Sequence, residues 1–123
     1  NIEVPFDSAA LVAAAGASYV ARWTVAHARQ LNRAVRNVLQ YGEKGFAFLE
    51  IVSSCPTRFG ERIFHKSTLE MLKGYRETSI NIKKLDDLEP VDYSGKIVVG
   101  EFVKDEKPGY VAQLYEIIER AHK

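Results

Sequence analysis

The stretch Ser53–Gly60, SSCPTRFG, holds the only cysteine of the chain. A thiol in that place supports three chemistries. As a thiolate it could attack a substrate if a base stood beside it, and His65 is the nearest candidate in sequence. It could ligate a metal or cluster, although a four-iron cluster takes four thiolates and one cysteine cannot hold it alone. It could also be a small hydrophobe packed in the interior, the commonest fate of a free cysteine. The flanking residues bear on the choice. Pro56 cannot continue a central strand and biases Cys55 toward extended backbone, while Gly60 lets the chain turn closely around whatever lies beside it. Ligands in α/β sheets gather beyond the carboxyl ends of strands, which is where Cys55 falls.

The other candidates are more dispersed. Glu50 is the one acid in the apolar run FAFLEIV. It is either a buried acid tuned for proton transfer or a carboxylate facing an arginine or the strand end, and the second reading is favoured. Arg29, Arg33 and Arg36 could make a basic face for phosphate, but they sit on a helix pattern that reads as a solvated surface. Gly100, inside KIVVGEFV, reads as a close-packing point rather than a phosphate loop. His27, His65 and His122 are too scattered to suggest a ligand pair, and no GxxxxGK[ST], GxGxxG or HExxH motif is present.

These residues need elements to position them. PFDSAALVAAAGAS predicts a short helix capped by Asp7 or Ser8, with Leu11, Val12 and Ala15 as its apolar stripe and Gly16 as its stop. ASYVAR (17–22) predicts a strand. HARQLNRAVRNVLQYG predicts a helix whose stripe is Leu31, Val35, Val38 and Leu39, ended by Gly42 and Gly45. FAFLEIV predicts a strand covered on both faces. STLEMLKGYRETS predicts a helix opened by a Ser67–Glu70 capping box. Residues 79–95, polar and containing Pro90, predict a connecting segment. KIVVGEFV predicts a third strand and KPGYVAQLYEIIERAHK a closing helix, with Pro108 at its start and Val111, Leu114, Tyr115 and Ile118 on one face.

Alternating helices and strands predict an α/β fold: a partial three-layer arrangement with a mostly parallel sheet and helices on its faces. Three strands would leave two unpaired edges, so the chain reads as about half of a larger α/β domain. At 123 residues it makes one domain's worth of core. A net charge of +1 offers no field to draw in nucleic acid or an anionic membrane. No apolar run is long enough to span a bilayer. A single cysteine predicts a reducing, cytoplasmic setting without a disulfide framework. The amino-terminal NIEVPFD has no signal-peptide character and does not begin with Met, so a processed or excised piece is expected.

Five segments, GASYVAR, HARQL, GFAFLEIVSSCPTRFG, EMLKGYRETSI and GKIVVGEF, resemble in order the β subunit of 2-oxoacid:ferredoxin oxidoreductases, most closely the 2-oxoglutarate branch. The resemblance runs from about residue 2 to the end, and CPTRFG and GKIVVGEF are its most specific parts. It implies an enzyme subunit that binds thiamine diphosphate with Mg²⁺ and carries one [4Fe-4S] cluster. The reaction implied is oxidative decarboxylation of a 2-oxoacid, with the acyl group passed to coenzyme A and electrons to ferredoxin. An α subunit is an implied partner. Cys55 would be the fourth cluster ligand, with Thr57, Phe59 and Gly60 shaping the loop around the cluster. The family's GDG…N motif for diphosphate and Mg²⁺, and its other three cysteines, lie upstream of anything in this sequence. The resemblance therefore implies the C-terminal half of the subunit, with residues 1–78 completing the thiamine-diphosphate-binding domain and 79–123 forming a C-terminal extension. Such a chain is expected to bind no cofactor and to turn over no substrate alone. Two departures are Glu61, which separates Gly60 from the basic Arg62, and Trp23, where a smaller residue is expected. From the residues alone, a non-catalytic α/β module that binds a partner is the competing expectation.

Overall fold

The computed structural model describes residues 6–87 and 95–122. The predicted α/β class is observed: α1 (Ser8–Ala14), β1 (Tyr19–Thr24), α2 (Ala28–Gly42), β2 (Ala47–Val52), a π-helix (Pro56–Phe64), α3 (Thr68–Thr78), β3 (Ser79–Asn81), a 3₁₀ segment (Ile82–Asp87), β4 (Ile97–Lys104) and α4 (Tyr110–Ala121). The strands form one sheet in the order β2-β1-β4-β3. It is mixed rather than purely parallel: two of its three strand pairings are parallel, as expected, and one is not. β1 runs parallel to β2 and β3 parallel to β4, whereas β1 and β4 are antiparallel. Hydrophobic alternation reports which faces of a strand are covered and carries no information about its direction.

β1 is the centre of the molecule, buried along its whole length. Because successive side chains alternate, Tyr19, Ala21 and Trp23 face one layer and Val20 the other. The first set packs with Ala34 and Tyr41 of α2 and Val99 of β4, and the rings of Tyr19 and Tyr41 stack at 5.4 Å. Val20 packs with Ala9 of α1 and with Ala17. The face of α2 turned to the core is therefore buried Ala34 and Tyr41 with partly buried Leu31 and Val38, so two of the four predicted stripe residues, Leu31 and Val38, face inward. Val35 and Leu39 are exposed, at 42% and 71%. Both sets have helical spacing, and the smaller Ala34 is what lets the helix sit close to the sheet. In α1 likewise, Ala9 is buried and Leu11 is exposed.

Asp7 caps α1 through the N–H of Ala10, and Gly16, in left-handed backbone, ends it as predicted. The Ser67–Glu70 capping box opens α3 in both directions, as the sequence indicates. The connecting-segment reading of residues 79–95 is corrected in part. Residues 79–81 pair with β4 as a strand and 82–87 form a 3₁₀ segment, while Pro90 lies outside the described residues. A three-residue strand is shorter than any periodicity can reveal. α4 forms where predicted and starts after Gly109, but Val111, Leu114, Tyr115 and Ile118 are all exposed. Among the described residues, no helix is long and apolar enough to cross a membrane.

Candidate functional site

β2 ends at Val52 and delivers Cys55 to the mouth of the sheet. Its backbone, φ −65° and ψ 118°, is the extended geometry that a following proline demands. Pro56 then occupies the first turn of the π-helix, where its missing N–H leaves no bond unmade. The Cys55 carbonyl accepts from the N–H of Phe59 at 2.9 Å and of Gly60 at 3.4 Å, which starts the wider turn. The segment closes at His65, in left-handed backbone, with the Lys66 N–H donating to the Gly60 carbonyl at 2.8 Å.

The Cys55 thiol is exposed, so the small-hydrophobe reading does not describe it. Its Sγ lies 3.2 Å from Thr57 Oγ1. That hydroxyl, with the backbone N–H groups of Arg58 and Thr57, favours the thiolate and holds the pKa below the usual thiol value. Among the described residues no histidine hydrogen-bonds the thiol, and a general base beside a nucleophile is what that reading requires. Gly60 has a structural reason. A Cβ there would stand 2.5 Å from Met71 Sδ and 2.9 Å from the Lys66 carbonyl, so this glycine lets the π-helix seat on α3. Phe59 is 42% exposed and stacks on Phe64 with centroids 6.3 Å apart.

The remaining candidates fall elsewhere. Glu50 accepts from Arg22 Nε at 2.7 Å and from Ser8 Oγ at 2.8 Å, which is the ion-pair reading. Arg22 also donates to Asp7 Oδ1 at 2.6 Å and lies over the Phe102 ring at 5.4 Å. Arg22 was not singled out by sequence. Its signal, an arginine in a strand whose other residues are buried, becomes readable only with the register that sets Arg22 opposite Glu50. A second polar group, also unmarked in sequence, joins Glu101 Oε1 to Tyr19 Oη at 2.9 Å and Asn37 Nδ2 at 2.8 Å. Burial, reinforced by that carboxylate, drives the Tyr19 pKa upward. His27 meets Thr24 Oγ1 at 2.8 Å and lies against Trp23, while burial and then the Arg76 charge lower its pKa. His65 ends the π-helix and His122 ends α4, so the histidines stand on three different elements. Arg29, Arg33 and Arg36 are exposed. Gly100 is the close-packing point expected of it: with φ +141°, it has Ile82 Cγ2 2.6 Å from where its Cβ would be. Among the described residues, no group of three or more His, Cys, Asp or Glu side chains could hold a metal.

The chain has curated relatives over nearly its whole length. The chain is 44% identical over 120 residues to the 2-oxoglutarate synthase subunit KorB of Methanocaldococcus jannaschii, covering 98% of this chain and 44% of that protein. KorB of Methanothermobacter marburgensis is 44% identical over 118 residues, or 96% of this chain and 41% of its own length. KorB of Archaeoglobus fulgidus is 38% identical over 105 residues, covering 85% and 35% respectively. The chain is homologous to KorB, a 2-oxoacid:ferredoxin oxidoreductase β subunit. The resemblance carried by CPTRFG and GKIVVGEF is thereby borne out. This KorB-like chain spans less than half the length of the curated relatives it matches. No protein-family profile matches it, and no solved structure does.

Proposed function

We propose that this chain is the C-terminal portion of the β subunit of a 2-oxoglutarate synthase, and that it contributes one ligand, Cys55, to the subunit's [4Fe-4S] cluster. The observation that carries the reading is the KorB homology over nearly the whole chain, joined to an exposed thiol biased toward thiolate at the carboxyl end of β2. Iron–sulfur clusters bind thiolates, not thiols, so hydrogen bonds that favour the anion suit a ligand. Cys55 is one such donor and the described residues supply no others, so the fit is to one corner of a cluster completed by residues outside this chain.

Within that reading Pro56 fixes the angle at which Cys55 leaves β2. Thr57 stabilises the anion, Phe59 presents a partly exposed ring stacked on Phe64, and Gly60 anchors the loop on α3. When bound in the complete subunit, thiamine diphosphate with Mg²⁺ supplies the carbanion stabilisation that 2-oxoacid decarboxylation needs, and the cluster supplies one-electron transfer. The partners of the reaction would be the α subunit, ferredoxin, coenzyme A and a 2-oxoacid, in the cytoplasm.

The test is iron and sulfide analysis of two preparations. The chain alone is expected to take up no stoichiometric cluster. The complete β subunit is expected to hold one and to lose it on Cys55→Ala. A cluster retained by Cys55→Ala would refute the assignment. The exposed apolar face of α4 favours a second reading, a non-catalytic module whose helix receives a partner. That reading gains if the Cys55→Ala subunit assembles and turns over normally.

A further inference from the structure

Away from the Cys55 loop, a cleft of about 160 Å³ opens between α2 and the start of the 3₁₀ segment. It adjoins a second of about 360 Å³, with which it shares Trp23, Gln30 and Asn81. Trp23 of β1 lines both clefts. The walls carry donors from two separate parts of the chain: Gln30 and Arg33 from α2, and Asn81 and Lys83 from the β3 side. One carboxylate, Glu101, also lines it, but its Oε1 is already engaged by Tyr19 and Asn37. Trp23 adds an independent observation. It is 8% exposed, and its Nε1 is buried with no hydrogen-bond partner, the one such side-chain atom found among the described residues. A buried N–H without an acceptor is costly and calls for a physical explanation.

We infer that this cleft is a binding site for a small oxyanion, a carboxylate or a phosphate group, which lies against Arg33 and Lys83 and recruits the Trp23 N–H. The cations supply charge, the two amides supply orientation, and the indole N–H, once engaged, supplies a neutral donor. The Nε1 is screened from water in this conformation, so engagement requires the ring and its neighbours to shift slightly. That shift makes the site readable, because Trp23 is the only tryptophan in the chain. The inference does not depend on the proposed cluster ligand, since no residue of the Cys55 loop takes part.

The experiment follows the single indole N–H resonance by NMR during separate titrations with inorganic phosphate and with acetate, at constant ionic strength held by chloride. The expected result is a saturable downfield shift with one of the two probes, which also identifies the oxyanion class. Arg33→Gln with Lys83→Gln should weaken the apparent affinity at least tenfold while the remaining amide spectrum stays folded. The inference is overturned if the indole signal fails to move, moves without saturating, or saturates equally in the doubly substituted chain. A slowly exchanging, fully protected indole N–H that ignores both probes would identify the atom as a packing defect instead.

Discussion

Arg22→Met is the perturbation that examines most directly how β1, β2 and α1 are held together. The guanidinium side chain is 11% exposed and bridges Glu50 (30%) and Asp7 (52%). Removing one partner of a buried ion pair costs about 3–5 kcal/mol, because the charge left behind is unpaired. Here the residual charges are carboxylates that can be partly rehydrated, so the expected loss is about 2–3 kcal/mol, with the half-exposed Asp7 arm contributing at most ~1 kcal/mol. For a chain of 123 residues that corresponds to a fall in Tm of about 8–12 °C. The companion Glu50→Leu leaves Arg22 its bond to Asp7 and should cost about 1–2 kcal/mol. The double substitution places two apolar side chains opposite each other in the Arg22–Glu50 register position, where replacement of a buried pair by hydrophobes is close to neutral. With only the Asp7 arm then unpaired, its cost should fall short of the sum of the single costs by about 2–4 kcal/mol. Urea unfolding followed by Trp23 fluorescence measures all four corners of the cycle. Strict additivity, or an Arg22→Met cost below about 0.5 kcal/mol, would refute the claim that this network pins α1 and β2 to the central strand.

The same network gives a pH dependence. Burial opposes ionisation of Asp7, but the Ala10 N–H and the Arg22 side chain outweigh it, so its pKa is held below the ordinary 3.8. A depressed carboxylate stabilises the fold above its unfolded pKa, and that contribution is lost as pH falls through the folded value. Asp7→Asn keeps a competent cap, so it should cost about 0.5–1 kcal/mol at pH 7, a cost that shrinks as pH is taken below the ordinary carboxylate pKa, measured by urea unfolding across that range. At Gly60, an added methyl meets the flexible Met71 but also the fixed Lys66 carbonyl, and Gly60→Ala should cost about 1–3 kcal/mol in thermal unfolding. Thr57→Val removes the hydroxyl that does most to lower the Cys55 pKa, so the pH profile of iodoacetamide labelling should move upward; an unchanged profile would show that the backbone N–H groups act alone. Ser67→Ala removes the hydroxyl that accepts from the Glu70 N–H but keeps the backbone N–H that donates to the Glu70 carboxylate, and should cost about 1 kcal/mol in the same unfolding assay.

How much of this was legible in the sequence depends on the distance over which each feature is made. Cys55 is set up within a few residues. Pro56 dictates its backbone, Thr57 its protonation and Gly60 the seat of the loop, so its position at a strand's carboxyl end could be read locally. The π-helix could not, because nothing in PTRFGERIF distinguishes a wide turn from an irregular loop. The Arg22–Glu50 pair illustrates a second limit. Each residue is visible as a charge in an apolar strand, but their meeting depends on a strand register that a slip of one residue would undo. The helices show a third. In α2 the stripe with Ala34 and Tyr41 and the stripe with Val35 and Leu39 fit the helical period about equally well, and size decides between them. Alanine lets α2 approach β1 closely enough for Tyr41 to stack on Tyr19, and the larger side chains are then turned outward. In α4 periodicity marks an apolar face, yet that face is exposed throughout the helix. Amphipathic spacing states that a face can be buried, and only the packed neighbours state against what. For α4 that neighbour is supplied from outside the described residues if the KorB reading is right, so Leu114→Glu should leave the isolated chain's stability within about 0.5 kcal/mol while disrupting assembly of the complete subunit. A Leu114→Glu chain that unfolds by itself would show instead that α4 packs on the sheet, and the argument from its exposed face would fail.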